Sequence, residues 1–127
     1  MRGHESSAAK TYHDLGNLAQ KRHDFASAEK WYRKSLVAKE KLGDEHGAAV
    51  SYVGLGTAAG AQGKFLESVK LLMDAVLVFV RQRDKHLAVR AAGNLMIFYR
   101  AALPEDREKF KVMWQEAGSG KFLPEDT

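Results

Sequence analysis

Shifted by 40 residues, the chain lies on top of itself. Ala9 falls on Ala49, Tyr12 on Tyr52, Leu15 on Leu55, Gly16 on Gly56 and Ala19 on Ala59. Phe25 falls on Phe65 and Lys30 on Lys70, and the run Asp44-x-His46-x-Ala48 falls on Asp84-x-His86-x-Ala88. A further shift carries Leu55 onto Leu95, with Met96 in place of Gly56. The matched positions are apolar, small or punctuating, the kinds that a shared packing scheme holds fixed. A chain built this way stacks similar units, each burying its apolar face on its neighbour.

Each unit reads as two helices. Tyr12, Leu15 and Ala19 are spaced by three and four and form one apolar face. The polar run Arg22-His23-Asp24 ends that helix, and Asp24 can cap the next one. Phe25, Ala28, Trp31 or Tyr32, Ser35 and Leu36 form the second stripe. Gly43 suits a left-handed helix end and Asp44 the cap that follows. The second unit repeats the scheme with Tyr52, Leu55 and Ala59, a turn at Gly63, then Phe65, Val69, Leu72, Ala75, Val76 and Phe79. Asp84 opens the third, whose first helix is expected to reach about Ala102. Pro104 suits the first turn of its second helix, where Phe110, Met113 and Trp114 are the apolar positions. A helical glycine costs about 1 kcal/mol relative to alanine. Its recurrence at Gly16 and Gly56 therefore implies close packing there, answered by small residues at Ala28 and Ser68 and at Ser35 and Ala75.

The order Tyr12-x-x-Leu15-Gly16-x-x-Ala19, then Phe25, Ala28 and Tyr32, resembles the tetratricopeptide repeat. The second unit gives Tyr52, Leu55, Gly56, Ala59, Phe65, Ser68 and Leu72. The third departs, with Ala92 for tyrosine, Met96 for glycine and Glu108 at the small position. The 40-residue unit is similar to the long-helix subtype of kinesin light chains, spindle-orientation adaptors and C-terminal arrays of large bacterial signalling proteins. The resemblance implies an all-α fold, an α-solenoid of three antiparallel helical hairpins wound into a right-handed superhelix. The hairpins are expected at about 8–43, 44–83 and 84–117, with flexible tails at 1–7 and 118–127. Terminal repeats are atypical because one face meets water. The degenerate third unit therefore reads as the end of an array, and the regular first unit suggests that the array is longer than this chain.

Composition narrows the chemistry. The chain has no cysteine, which excludes disulfides, thiolate catalysis and zinc–thiolate sites and fits a cytoplasmic location. The net charge of +4 is spread among interspersed acids and bases, so no nucleic-acid stripe forms. The apolar stretch Leu71 to Val80 is interrupted by Asp74 and is too short to span a bilayer. Gly54-x-Gly56-x-x-Ala59, with Asp74 beyond it, has the outline of a dinucleotide fingerprint, but the repeat already accounts for Gly56 and Ala59. Gly63-Lys64 fails as a phosphate loop because Ala58 and Phe65 stand at its defining positions. The histidines His4, His13, His23, His46 and His86 form no His-x-x-x-His pair, so no metal site is expected. Glu29 and Arg33 read as a helix-surface ion pair. No catalytic residues, cofactor or metal are expected, and the chain reads as a non-enzyme.

In the family the first helix of each hairpin lines a concave groove. Rotating away from the packing face gives Lys10, His13, Asn17 and Gln20 in the first unit. It gives Val50, Val53, Thr57 and Gly60 in the second, and Arg90, Gly93, Ile97 and Arg100 in the third. The resemblance puts Asn17 where members hold a peptide backbone. It puts His13 where those that clamp a terminal carboxylate carry lysine, so that clamp is not expected. The groove, apolar in the middle and cationic at its ends, suits a protein or peptide segment with apolar anchors and acidic groups. The alternative is a self-association or sensing segment of a larger signalling protein, acting through the first hairpin.

Overall fold

The computed structural model describes residues 2–118. Among them are six helices and no strand: α1 Arg2–Lys21, α2 Phe25–Lys41, α3 Glu45–Ala61, α4 Phe65–Arg81, α5 Lys85–Ala101 and α6 Pro104–Glu116. Each of α2 to α5 packs on the helix before it, and α6 lies against α4 and meets α5 through Phe110 and Tyr99, ring centroids 5.9 Å apart. The result is an all-α helical-repeat solenoid. The first helix reaches back to Arg2, where a tail over 1–7 was expected. Nothing in Glu5-Ser6-Ser7-Ala8 breaks a helix, and Glu5 sits in the first turn, where a carboxylate suits the helix dipole. Of the tail expected at 118–127, only Gly118 is among the described residues.

The underlying step is shorter than the sequence repeat. Helices α2 to α5 begin at Phe25, Glu45, Phe65 and Lys85, a spacing of 20 residues. One turn joins them each time. His23, Gly43, Gly63 and Arg83 all take the left-handed conformation, with φ of 60°, 71°, 82° and 59°. The next residue donates its N–H back to the helix it has left: Asp24 to Ala19 at 2.9 Å, Asp44 to Lys39 at 2.9 Å, Lys64 to Ala59 at 3.0 Å and Asp84 to Phe79 at 2.9 Å. This is the Schellman arrangement, which satisfies carbonyls that a helix end leaves open. The same residue then caps the following helix. Asp24, Asp44 and Asp84 accept from the N–H of Ser27, Gly47 and Leu87, whereas Lys64 offers no cap. The junction of α5 and α6 differs, as Pro104 stands in the first turn of α6 after the extended Ala102 and Leu103.

Two apolar clusters hold the stack. One gathers Ala19, Ala28, Tyr32, Leu55 and Ala58. The other runs from Ala49 and Val69 through Leu72, Val76, Phe79, Leu95 and Tyr99 to Phe110 and Trp114. Trp31 is partly buried at an edge, stacked on Tyr12 with ring centroids 6.0 Å apart. Buried serines tie the two helices of each hairpin together: Ser68 Oγ donates to the Gly56 carbonyl at 2.6 Å and Ser35 Oγ to the Ala9 carbonyl at 3.2 Å. Glu29 and Arg33 do not pair with each other. Arg33 meets Glu67 at 3.2 Å and Glu29 meets Lys64 at 3.6 Å, because stacking brings α4 within reach of both.

Candidate functional site: the concave cleft

The two repeated glycines have one role. A methyl group on Gly16 would lie 2.7 Å from the Tyr32 ring, and one on Gly56 would lie 2.7 Å from Leu72. Tyr32 and Leu72 are equivalent under the 40-residue shift, so each glycine admits a large side chain from the second helix of its own hairpin. Tyr32 also meets the next hairpin, because a methyl group on Gly54 would lie 2.8 Å from its ring. The ring is thus threaded between α1 and α3, and its hydroxyl emerges at the concave side. There it donates to Asn17 Oδ1 at 2.6 Å and contacts Gln20 Oε1 at 3.1 Å. Burial pushes this hydroxyl up to about 12, so it remains a donor.

The shorter contact orients the Asn17 carboxamide. With its oxygen accepting from Tyr32, the Asn17 carboxamide has its nitrogen left as a donor on the cleft wall, beside Gln20. The cleft has a volume of about 340 Å³. His13, Asn17 and Gln20 form one side, Val50, Val53, Gly54 and Thr57 the floor, and Leu87, Arg90, Ala91 and Asn94 the other side. Tyr32 and Phe79 close the floor from behind. Arg90 is exposed and makes no ion pair among the described residues. Burial and the nearby Lys39 hold His13 below the usual histidine range, so it is neutral at pH 7. Its ring lies 5.5 Å from that of Tyr32. Arg90 is therefore the cation of the cleft.

Of the groove residues expected from the sequence, His13, Asn17, Gln20, Val50, Val53, Thr57 and Arg90 come together here. Lys10, Ile97 and Arg100 are exposed and lie outside the cleft. For Ile97 and Arg100 the reason is Phe98, whose ring lies on Gly60 and closes α5 against α3 beyond Thr57. Gly60 is buried by that contact, and Gly93 is open to solvent. Leu87, Ala91 and Asn94 were not expected. They flank Arg90 at helical spacing, Leu87 three residues before it and Asn94 four after, one residue round from the expected stripe on α5. Asn94 also stands at the position of Gly54 under the 40-residue shift.

No group of histidines and carboxylates among the described residues could hold a metal ion. No helix among them is long and apolar enough to cross a membrane.

The stacked hairpins, the shared glycine slots and the cleft lined by first helices agree with a family model. Residues 7–95 match the tetratricopeptide repeat. The chain belongs to the tetratricopeptide repeat family. The match ends within α5, where the third unit loses the tyrosine and glycine of the pattern. No curated protein matches the chain. Tetratricopeptide repeats generally mediate protein–protein interactions and are typically non-catalytic.

Proposed function

We propose that this tetratricopeptide repeat protein binds a peptide segment of a partner protein in its concave cleft and catalyses nothing there. The observation that carries this reading is the Tyr32 hydroxyl, which holds the Asn17 carboxamide by its oxygen and leaves its nitrogen as a donor at the cleft. An extended segment offers carbonyl oxygens to Asn17 and to the neighbouring Gln20 and Asn94. Small apolar side chains fit over Val50, Val53 and Gly54, and a carboxylate would meet Arg90. Charged hydrogen bonds of that kind are worth roughly 1.5–3 kcal/mol each. A cytoplasmic setting accords with a cysteine-free chain.

The test uses dodecapeptides selected on the chain from a random display library. Asn17→Ala, Val53→Glu and Arg90→Glu should each weaken them while the helical circular dichroism is retained. Unchanged binding in all three would overturn the reading. Self-association through the first hairpin has one observation in its favour, the 50 % exposure of Val37 on its outer face. The charge of that face opposes it.

A further inference from the structure

The first hairpin leaves exposed a face that in the second hairpin is bordered by α2. The 40-residue shift carries Ala8, Tyr12, Trp31, Val37 and Ala38 onto Ala48, Tyr52, Leu71, Leu77 and Val78. In the second hairpin this face lies beside α2. Ala48, Tyr52 and Val78 border Glu40 and Gly43, and Leu71 packs on the cluster that holds Ala28 and Tyr32. In the first hairpin the same face is a groove of about 510 Å³ between α1 and α2, floored by Ala8, Tyr12, Val37 and Ala38. Tyr12 stacks on Trp31 beside it, and Lys34 Nζ lies 5.0 Å from the Trp31 ring centre. Its counterpart in the second hairpin borders α2, with Leu71 packed on the cluster of Ala28 and Tyr32, so a helix is the kind of neighbour this face meets.

Its charge selects the helix. Arg33, Lys34, Lys41 and His4 line the groove against one acid, Glu5. Arg33 is paired with Glu67, but Lys34 and Lys41 make no ion pair among the described residues. The position equivalent to Lys34 in the second hairpin is Asp74, so the sign is reversed at the centre of the face. A second copy fits poorly. The apolar groove at the far end, where Val80 and Val89 are 61 % and 65 % exposed, is rimmed by Arg83 and Lys85. Head-to-head and head-to-tail pairings both bring like charges together.

We propose that the outer groove of the first hairpin docks an amphipathic helix of a partner protein whose polar face is rich in aspartate and glutamate. Leucine-like residues at helical spacing would cover Tyr12 and Val37, and the acids would flank them toward Lys34 and Lys41. This surface is separate from the concave cleft.

Two synthetic helix-forming peptides test it, with one leucine stripe and either glutamate or lysine at the polar positions. Trp31 fluorescence of the full chain is the readout, because Trp114 is buried in the other cluster. The glutamate peptide should shift the Trp31 emission to shorter wavelength and saturate, and the lysine peptide should not. Val37→Glu and Lys34→Glu, with unchanged circular dichroism, should each weaken the glutamate peptide by about tenfold or more. Lys34→Glu with Lys41→Glu should transfer the preference to the lysine peptide. Asn17→Ala should leave both results unchanged, which separates this surface from the cleft. Equal binding of the two peptides, indifference to the substitutions, or growth of the chain's own mass with concentration would overturn the proposal.

Discussion

Tyr32 and Gly54 are in contact across two hairpins, with the tyrosine ring where a side chain at Gly54 would stand, 2.8 Å from an added methyl group. The ring is held on its other side by Gly16, so it has no direction in which to yield. One aromatic side chain therefore spaces α1 from α3 and delivers its hydroxyl to the concave cleft. Stability and the proposed binding surface share this residue.

Gly54→Ala should destabilise the fold. Alanine is the better helix former by about 1 kcal/mol, but overpacking a closed slot typically costs about 1–3 kcal/mol. Gly93 is the control, because nothing lies within 4 Å of a methyl group placed there. Gly93→Ala should raise stability by roughly 0.5–1 kcal/mol. Urea unfolding of both variants checks the pair, and a gain at both positions would contradict the slot.

The repeated turn predicts opposite effects at equivalent positions. His23 and Arg83 hold φ of 60° and 59° with a Cβ present, a conformation that costs an L-residue about 1–2 kcal/mol. Against the added freedom of glycine in the unfolded chain, His23→Gly and Arg83→Gly should each stabilise by about 0.5–1 kcal/mol. Gly43→Ala and Gly63→Ala should destabilise by about 1–2 kcal/mol. Thermal unfolding midpoints give the order directly.

Alkaline pH should act on Tyr32. An unfolded tyrosine ionises near pH 10, whereas burial holds the folded Tyr32 hydroxyl to about 12. Between those values the folded state keeps a proton that the unfolded state has lost. Stability therefore falls as pH rises from about 10 to about 12, and this group has no effect below that window. Tyrosinate absorbance should show a late phase that Tyr32→Phe removes. The same variant should cost about 1 kcal/mol through the lost hydrogen bonds.

The sequence was readable where structure is set locally. Asp24, Gly43, Asp44, Asp84 and Pro104 occupy the turn and cap positions that their chemistry suggested. The 20-residue step was hidden because His23 and Arg83 stand in the glycine position, and Lys64 stands where the other turns have aspartate. Gly16 and Gly56 mark close packing, but the side chains that fill the space are the large Tyr32 and Leu72 and not the small residues expected opposite them, because which side chain meets each glycine depends on how the two helices cross. Gly54 carried no repeat signal, since its equivalents are Asp14 and Asn94. Most of the cleft wall followed from helical spacing. Its far limit did not, because the contact of Phe98 with Gly60 depends on how α5 tilts onto α3.

The most direct test of the cleft as the binding surface is a map of backbone amide shifts in the nuclear magnetic resonance spectrum as a display-selected dodecapeptide is added. The account predicts that the largest changes fall on Asn17, Gln20, Val53, Thr57, Arg90 and Asn94, with Lys10 and Arg100 little affected. Peptides that bind while those cleft resonances stay in place would contradict it.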